Sequence, residues 1–206
     1  MFKKLFSRTP GSFSDTEQQT VLDEDLAERL LKTEGSDSAE LAAELLAAPD
    51  AMMRLTLDEA RIVVSYMQPR KFSEGTVFIQ EGDKNNTDYM VLVLDGEVTV
   101  ESIVVSRTTP VTTAVLGAGS LLGEMGIVDG EPRSATCTAT SRVHAAIFTR
   151  SALEQLINEH PAVGAKFMMS ISLRIAERLR DTSEKLKLYT QLTQAMQEEI
   201  DRLMPT

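Results

Sequence analysis

The chain has 206 residues, 42% hydrophobic and 25% charged, with 21 basic side chains against 31 acidic ones and a net charge of −10. That composition is globular rather than disordered, and its sign argues against nonspecific attachment to DNA or to an anionic membrane. One cysteine, Cys137, and two histidines, His144 and His160, exclude internal disulfides and multi-cysteine zinc sites and leave little material for a metal centre.

The lead, Met-Phe-Lys-Lys-Leu-Phe-Ser-Arg, lacks the apolar stretch and cleavage site of a signal peptide. No apolar run approaches the ~18 residues of a membrane span, so a cytoplasmic protein is expected. Lys3 and Lys4 with three apolar neighbours are too little to anchor a chain to lipid. Residues 1–60 hold six basic and thirteen acidic side chains, net −7, whereas residues 61–206 stand at −3. The first segment is therefore compositionally distinct.

From about Asp15 to Ala48 the pattern predicts helices. Val21, Leu22, Leu26, Leu30 and Leu31 follow i, i+4, i+8 spacing, and Leu41, Leu45 and Leu46 resume it after Gly35-Ser36. These leucine stripes need an apolar partner, either the rest of this chain or another protein. A third helix, about Leu57 to Met67, starts behind Thr56, which has capping-box spacing to Glu59, and stops at Pro69.

After Arg70 the grammar changes to strands: Val77 to Ile79, Tyr89 to Leu94, Glu97 to Val105, Val111 to Leu116, Ser134 to Thr140 and Val143 to Phe148. Turn signals such as Asp95-Gly96 and Asp129-Gly130 separate them. Many short strands with tight turns predict a jelly roll, sandwich or barrel, and the absence of βαβ alternation argues against a Rossmann domain.

From Arg150 the chain returns to helix, broken once at His160-Pro161, where Pro161 suits a first helical position. A long helix from about Ala162 to Leu203 follows. With Leu179 at heptad position a, the a and d positions are Ser172, Ile175, Leu179, Thr182, Leu186, Tyr189, Thr193, Met196, Ile200 and Leu203, seven of them apolar. Its first half can pack along its own barrel. Its second half has no evident partner but another chain, which predicts a homodimer.

The stretch that carries chemistry runs from Gly119 to Ala139. Gly123-Glu124-Met125-Gly126 opens a helical turn between strands, where glycine permits close backbone approach and turn amides face an anion. Arg133 offers a planar fork suited to phosphate, and Ser134 adds a hydroxyl. Glu124 would repel phosphate, so its target is a donor beside it, such as a ribose hydroxyl. One anion, one sugar hydroxyl and a β-lined pocket spell a nucleotide monophosphate. The bland alternative is that Glu124 and Arg133 pair with each other. Gly117, Gly119 and Gly123 lack dinucleotide-fingerprint spacing. Cys137 between two threonines reads as strand packing. No nucleophile–base pair, carboxylate pair or metal set stands out, so no enzyme is expected.

Gly123 to Ile127, followed by Pro132-Arg133-Ser134-Ala135-Thr136 and Ala139, resembles the phosphate-binding cassette of cyclic nucleotide-binding domains. Phe72, Gly75, Ile79, Glu81-Gly82-Asp83 and Leu94-Asp95-Gly96-Glu97-Val98 are similar to the strand-and-turn grammar of that domain. Arg178-Leu179-Arg180-Asp181-Thr182-Ser183-Glu184-Lys185 resembles the dimer helix of the bacterial cAMP receptor protein superfamily, and the likeness covers about residues 56–190. It implies an α+β protein: a cyclic nucleotide-binding jelly roll over 56–160, preceded by an acidic helical extension over 1–55 and followed by a dimerisation helix over 161–206. It also implies cAMP as ligand, without metal. Glu124 would accept the ribose 2′-hydroxyl, the Gly123 to Met125 backbone would flank the sugar-phosphate, and Arg133 and Ser134 would bind the phosphate. Thr182, with Ser183 of the second subunit, would read adenine.

The transcription factors of this superfamily continue into a helix-turn-helix, for which nothing follows Thr206. The expectation is a non-enzymatic cAMP receptor acting through a protein partner rather than DNA or membrane. A nucleotide-free dimeric adaptor of the same fold is the alternative, and a transcription regulator is less favoured.

Overall fold

The run Tyr-Met-Val-Leu-Val-Leu-Asp at 89–95 is apolar without alternation, the signature of a strand covered on both faces. The computed structural model, which describes residues 26–31, 33–48, 55–102 and 111–203, places it between two cores. The elements are α1 (Asp37–Ala47), α2 (Leu57–Val64), β1 (Gln68–Phe72), β2 (Val77–Ile79), β3 (Tyr89–Asp95), β4 (Val98–Ser102), β5 (Val111–Leu116), β6 (Leu121–Leu122), α3 (Glu124–Asp129), β7 (Thr136–Ala139), β8 (Val143–Thr149), α4 (Arg150–Glu159) and α5 (Pro161–Leu203). Two antiparallel four-stranded sheets, ordered β1-β8-β3-β6 and β2-β7-β4-β5, face each other. This is the expected jelly roll with flanking helices and a long final helix.

Alternation along β3 separates the two cores. Val91 and Val93 point between the sheets, where Val98, Val100, Leu122, Cys137 and Val143 pack. Met90, Leu92 and Leu94 point the other way, onto Leu46, Val63, Leu156, Phe167 and Ile171 of the helices. Phe148 and Phe167 meet edge to face at 5.2 Å between ring centroids.

Ser36 caps α1, and the Thr56–Glu59 box closes reciprocally at the start of α2. Both helices join the same core as α4 and α5, and of the leucine stripes Leu45 and Leu46 pack into it, whereas Leu31 and Leu41 stay exposed. Polar contacts add to the attachment: Arg29 pairs with Glu159 at 2.6 Å, the Tyr66 hydroxyl donates to Glu159 at 2.6 Å, and Lys166 pairs with Glu59. Val21 and Leu22, and the expected continuation of β4 over residues 103–105, lie outside the described residues.

Strand ends shift by one or two residues, with β7 starting at Thr136 rather than Ser134, and three larger differences from expectation stand beside them. The helix at Leu57 ends at Val64 rather than Met67, because Pro69 forces Gln68 into extended backbone and the chain turns through Tyr66 and Met67 to reach it. The second difference is β1 itself, a mostly exposed Gln-Pro-Arg-Lys-Phe strand on a sheet edge, where proline is tolerated. The third is β6, two residues long and beyond the reach of any periodicity.

In α5, Val163, Gly164, Phe167, Ser170 and Ile171 are buried, and Ile175 packs on the same core. Gly164 lets α5 close on α4: a Cβ there would stand 3.0 Å from the Ile157 Cα. Beyond Ala176 the helix is exposed to its end. Among the described residues, no helix is long and apolar enough to cross a membrane.

Candidate functional site

The cassette is a β6–turn–α3–loop–β7 segment whose backbone wraps one guanidinium. Gly123 enters α3 at φ +78°, a conformation that L side chains rarely adopt, and a Cβ on it would stand 2.6 Å from Arg133 Nη1. A Cβ on Gly126 would meet the same nitrogen at 2.9 Å and the Thr87 carbonyl at 2.8 Å. The glycines are there because an arginine occupies their side-chain space.

Arg133 is 4% exposed. It donates from Nε to the Asn86 carbonyl at 2.9 Å, from Nη1 to Gly123 at 2.9 Å and from Nη2 to Tyr89 at 2.8 Å. Its guanidinium also lies 4.5 Å from the Tyr89 ring centroid, a cation–π contact. Backbone carbonyls thus take three of its five N–H donors and leave two for an anion.

Glu124, the first residue of α3, is 2% exposed. It does not pair with Arg133. Its Oε1 accepts from Arg178 of α5, and its Oε2 is buried without a hydrogen-bond partner among the described residues. A buried carboxylate oxygen without a donor is costly, and a hydroxyl brought by a ligand would relieve it. Arg174, one turn earlier on α5, is half-buried; burial pulls its pKa down, and the charge of Glu124 opposes that shift.

Gly123, Glu124, Met125, Arg133, Ser134 and Arg178 line one cavity of about 110 Å³ over an apolar floor of Ile79, Val100, Leu122 and Cys137. Ser134 is exposed and its hydroxyl lies 3.8 Å from Met125 Sδ. Burial pushes the Cys137 thiol up to about 11, with the Glu124 charge adding to it, so this floor residue is an inert packing group at neutral pH. A larger open groove of about 650 Å³ lies between the 26–31 stretch and α1; its acidic lining residues are Glu34, Asp37 and Glu40, and its lining arginine, Arg61, already pairs with Glu40 at 2.6 Å at the surface. The expected site residues other than Thr182 and Ser183 converge on the smaller cavity.

Thr182 and Ser183 are not brought into that cavity by the single chain. Both are exposed, and their hydroxyls donate to the carbonyls four residues back, Arg178 and Leu179, at 2.8 Å each. Arg178 lines the cavity and pairs with Glu124, a position to which the sequence pattern assigns no role. Its signal was present, one turn before Thr182 on the same helix, but its carboxylate partner lies 54 residues away in sequence.

Residues 69–160 match the cyclic nucleotide-binding domain family. A cyclic nucleotide-gated potassium channel of Rhizobium etli is 31% identical over 140 residues, 68% of this chain and 34% of the channel. Among solved structures, a cyclic nucleotide-binding domain from Methylobacillus flagellatus is 29% identical with a TM-score of 0.65, covering 74% of this chain and 86% of that one. The Thermus thermophilus catabolite activator protein is 27% identical with a TM-score of 0.60, covering 71% of this chain and 63% of that one. The chain spans about a third of the curated channel's length.

Proposed function

Residues 69–160 are a cyclic nucleotide-binding domain with relatives among the catabolite activators, and from that premise we propose that this protein is a non-enzymatic cAMP receptor, dimeric through α5. The observation that carries the reading is Glu124 Oε2, a buried carboxylate oxygen without a donor among the described residues, in the cavity that Arg133 also lines. In this reading the ribose 2′-hydroxyl donates to Oε2. The cyclic phosphate takes the two remaining N–H groups of Arg133 and the Ser134 hydroxyl, flanked by the Gly123 to Met125 backbone.

The cavity's size supports a shared base site. About 110 Å³ lies well below the ~300 Å³ at which small-molecule pockets begin, so it suits a sugar-phosphate and leaves the base outside. The base would then lie along α5, near Thr182 and the Ser183 of a second copy. A second copy also suits the helix. Leu179, Leu186, Tyr189, Met196, Ile200 and Leu203 are exposed seam positions. In a parallel coil the flanking g–e′ pairs are Arg178–Ser183, Lys185–Thr190 and Leu192–Gln197, none of them like-charged.

The receptor works in the cytoplasm and signals through a protein partner. The net charge of −10 disfavours DNA and anionic membrane as that partner. One observation favours a second reading, the nucleotide-free dimeric adaptor: three backbone carbonyls already hold Arg133 in place.

Calorimetric titration with cAMP decides between the readings. Saturable binding is expected, and Arg133→Ala should weaken it by about 2–5 kcal/mol, the cost of removing one partner of a buried charged pair. Because Arg133 also ties down backbone, Glu124→Gln is the milder companion variant, keeping shape while removing the charge that the ribose hydroxyl meets. No binding by the unmutated, folded protein would leave the adaptor.

A further inference from the structure

We propose that Arg150, which lies outside the cavity, is a positioning residue for nucleotide binding: its guanidinium holds α3 at the height where Glu124 meets the ribose. The inference rests on the cyclic nucleotide reading above and extends it to a residue that this reading does not use.

The helix that carries Glu124 cannot hold itself. It has six residues, under two turns, and starts at a left-handed Gly123 without a side-chain cap. Two arginines brace it instead. At its front Arg133 donates to the Gly123 carbonyl, and at its back Arg150 Nη2 donates to the Gly126 carbonyl at 2.5 Å. The Gly126 carbonyl also accepts from the Gly130 amide at 3.0 Å, so Arg150 clamps the closing turn of α3. A Cβ on Gly130 would stand 3.1 Å from Nη2 and 3.4 Å from Nη1, so the guanidinium lies against bare backbone.

Arg150 is itself well placed to brace. It is the first residue of α4, directly after β8, and its amide donates to the Asp88 carbonyl at 2.7 Å, one residue before β3. The clamp therefore refers the cassette to the sheet and to the start of the helical pair whose second member carries Arg178. In the proposed complex Arg133 serves both backbone and phosphate, whereas Arg150 serves α3 alone. Without it, the closing turn of α3 keeps only the Gly130 amide on the Gly126 carbonyl, and the 2′-hydroxyl meets a less firmly placed acceptor.

The test compares cAMP with its 2′-deoxy analogue in the full chain, because a positioning role acts through one hydroxyl and a general destabilisation does not. The unmutated protein should prefer cAMP by about tenfold to a hundredfold, the worth of a hydrogen bond to a charged group. Arg150→Met should lose most of that preference: cAMP binding falls by about tenfold or more while the deoxy analogue barely changes. Arg150→Lys, retaining a cation and a donor on a long stem, should restore part of the preference. If Arg150→Met does not fold, Arg150→Gln, too short to reach the Gly126 carbonyl, is read the same way. A preference kept in full by the folded Met or Gln variant overturns the proposal, and so does a Lys variant as indifferent to the hydroxyl as the Met variant. An unmutated protein that binds neither nucleotide refutes the receptor reading. One that binds both equally refutes the role of Glu124. Either outcome also removes the premise of this proposal and is visible before any Arg150 variant is made.

Discussion

Along α5, residues 161–177 and residues 178–203 carry apolar side chains at similar spacing, yet the two segments end differently. Val163, Phe167 and Ile171 are buried against the jelly roll, whereas Leu179, Leu186, Met196 and Leu203 each expose about two thirds of their surface. Intrinsic helix preference does not distinguish them; the neighbour does. The first segment lies over β3, β8 and α4 and completes a core, and the second projects past the domain. An apolar heptad therefore states that a helix has a seam, and only the placement of the rest of the chain states whether the seam is filled from within.

If that contrast is right, the largest loss should come from the filled segment. Phe167→Ala removes a fully buried ring packed on Phe148 and should cost about 3–5 kcal/mol of folding stability in denaturant titrations. A loss below about 1 kcal/mol would show that the proximal contact is not a core contact.

Leu186→Asp addresses the other segment. It should leave unfolding of the domain within about 0.5 kcal/mol of the unmutated protein, as expected at an exposed site, while splitting the proposed dimer. Light scattering would show the change as a halved mass. A monomeric unmutated protein at micromolar concentration would erase the contrast by leaving the distal stripe without a partner.

A finer effect is expected at the point where the segments meet. Thr182→Ala combined with Ser183→Ala should narrow a preference for cAMP over cGMP by about threefold to tenfold, the scale of one neutral hydrogen bond. Equal affinity of the unmutated protein for both nucleotides would contradict the assignment of these hydroxyls to adenine.

The smallest effect concerns the ion pair that ties α2 to the proximal segment. The hydrogen bond from Lys166, and then the Thr56 amide, hold the Glu59 carboxyl below its usual range. A carboxylate with a lowered folded pKa contributes stability that is present above its unfolded pKa, near 4.5, and lost as the pH falls through its lower folded value. Glu59→Gln keeps the capping box and removes the charge, so it should cost under about 1 kcal/mol near pH 7. The difference from the unmutated protein should shrink as the pH drops below about 4.5. A difference that persists at pH 3 would point to the cap instead of the ion pair.

Much of this architecture was legible before any coordinates. The cassette reads locally, because its glycines, Glu124 and Arg133 sit within eleven consecutive residues whose backbone needs are interdependent. The buried strands read from composition, since a run such as Met90 to Leu94 has no polar face to show. What escaped were features without a local signature. The strand β1 is polar and exposed on its edge, and β6 is too short for any period. The partnerships of Arg178 with Glu124 and of Arg150 with Gly126 span 54 and 24 residues, and only the fold brings those groups together. The pairing of Glu124 with Arg133 was a fair alternative on spacing alone. It fails because the backbone carbonyls of β3 and the cassette reach the guanidinium first.

The close approach at Gly164 makes α5 a lever. With ~1.5 Å of rise per residue, Arg178 lies about 21 Å from that pivot and Leu203 about 58 Å, so the tip travels nearly three times as far as the point beside the cavity. A tilt of about 5° at Gly164 shifts Arg178 by roughly 2 Å, within the adjustment of one ion pair, and swings Leu203 by roughly 5 Å, one full helical turn in height. A single uninterrupted helix thereby fixes a ratio of about three between any displacement of its tip and the displacement beside Glu124.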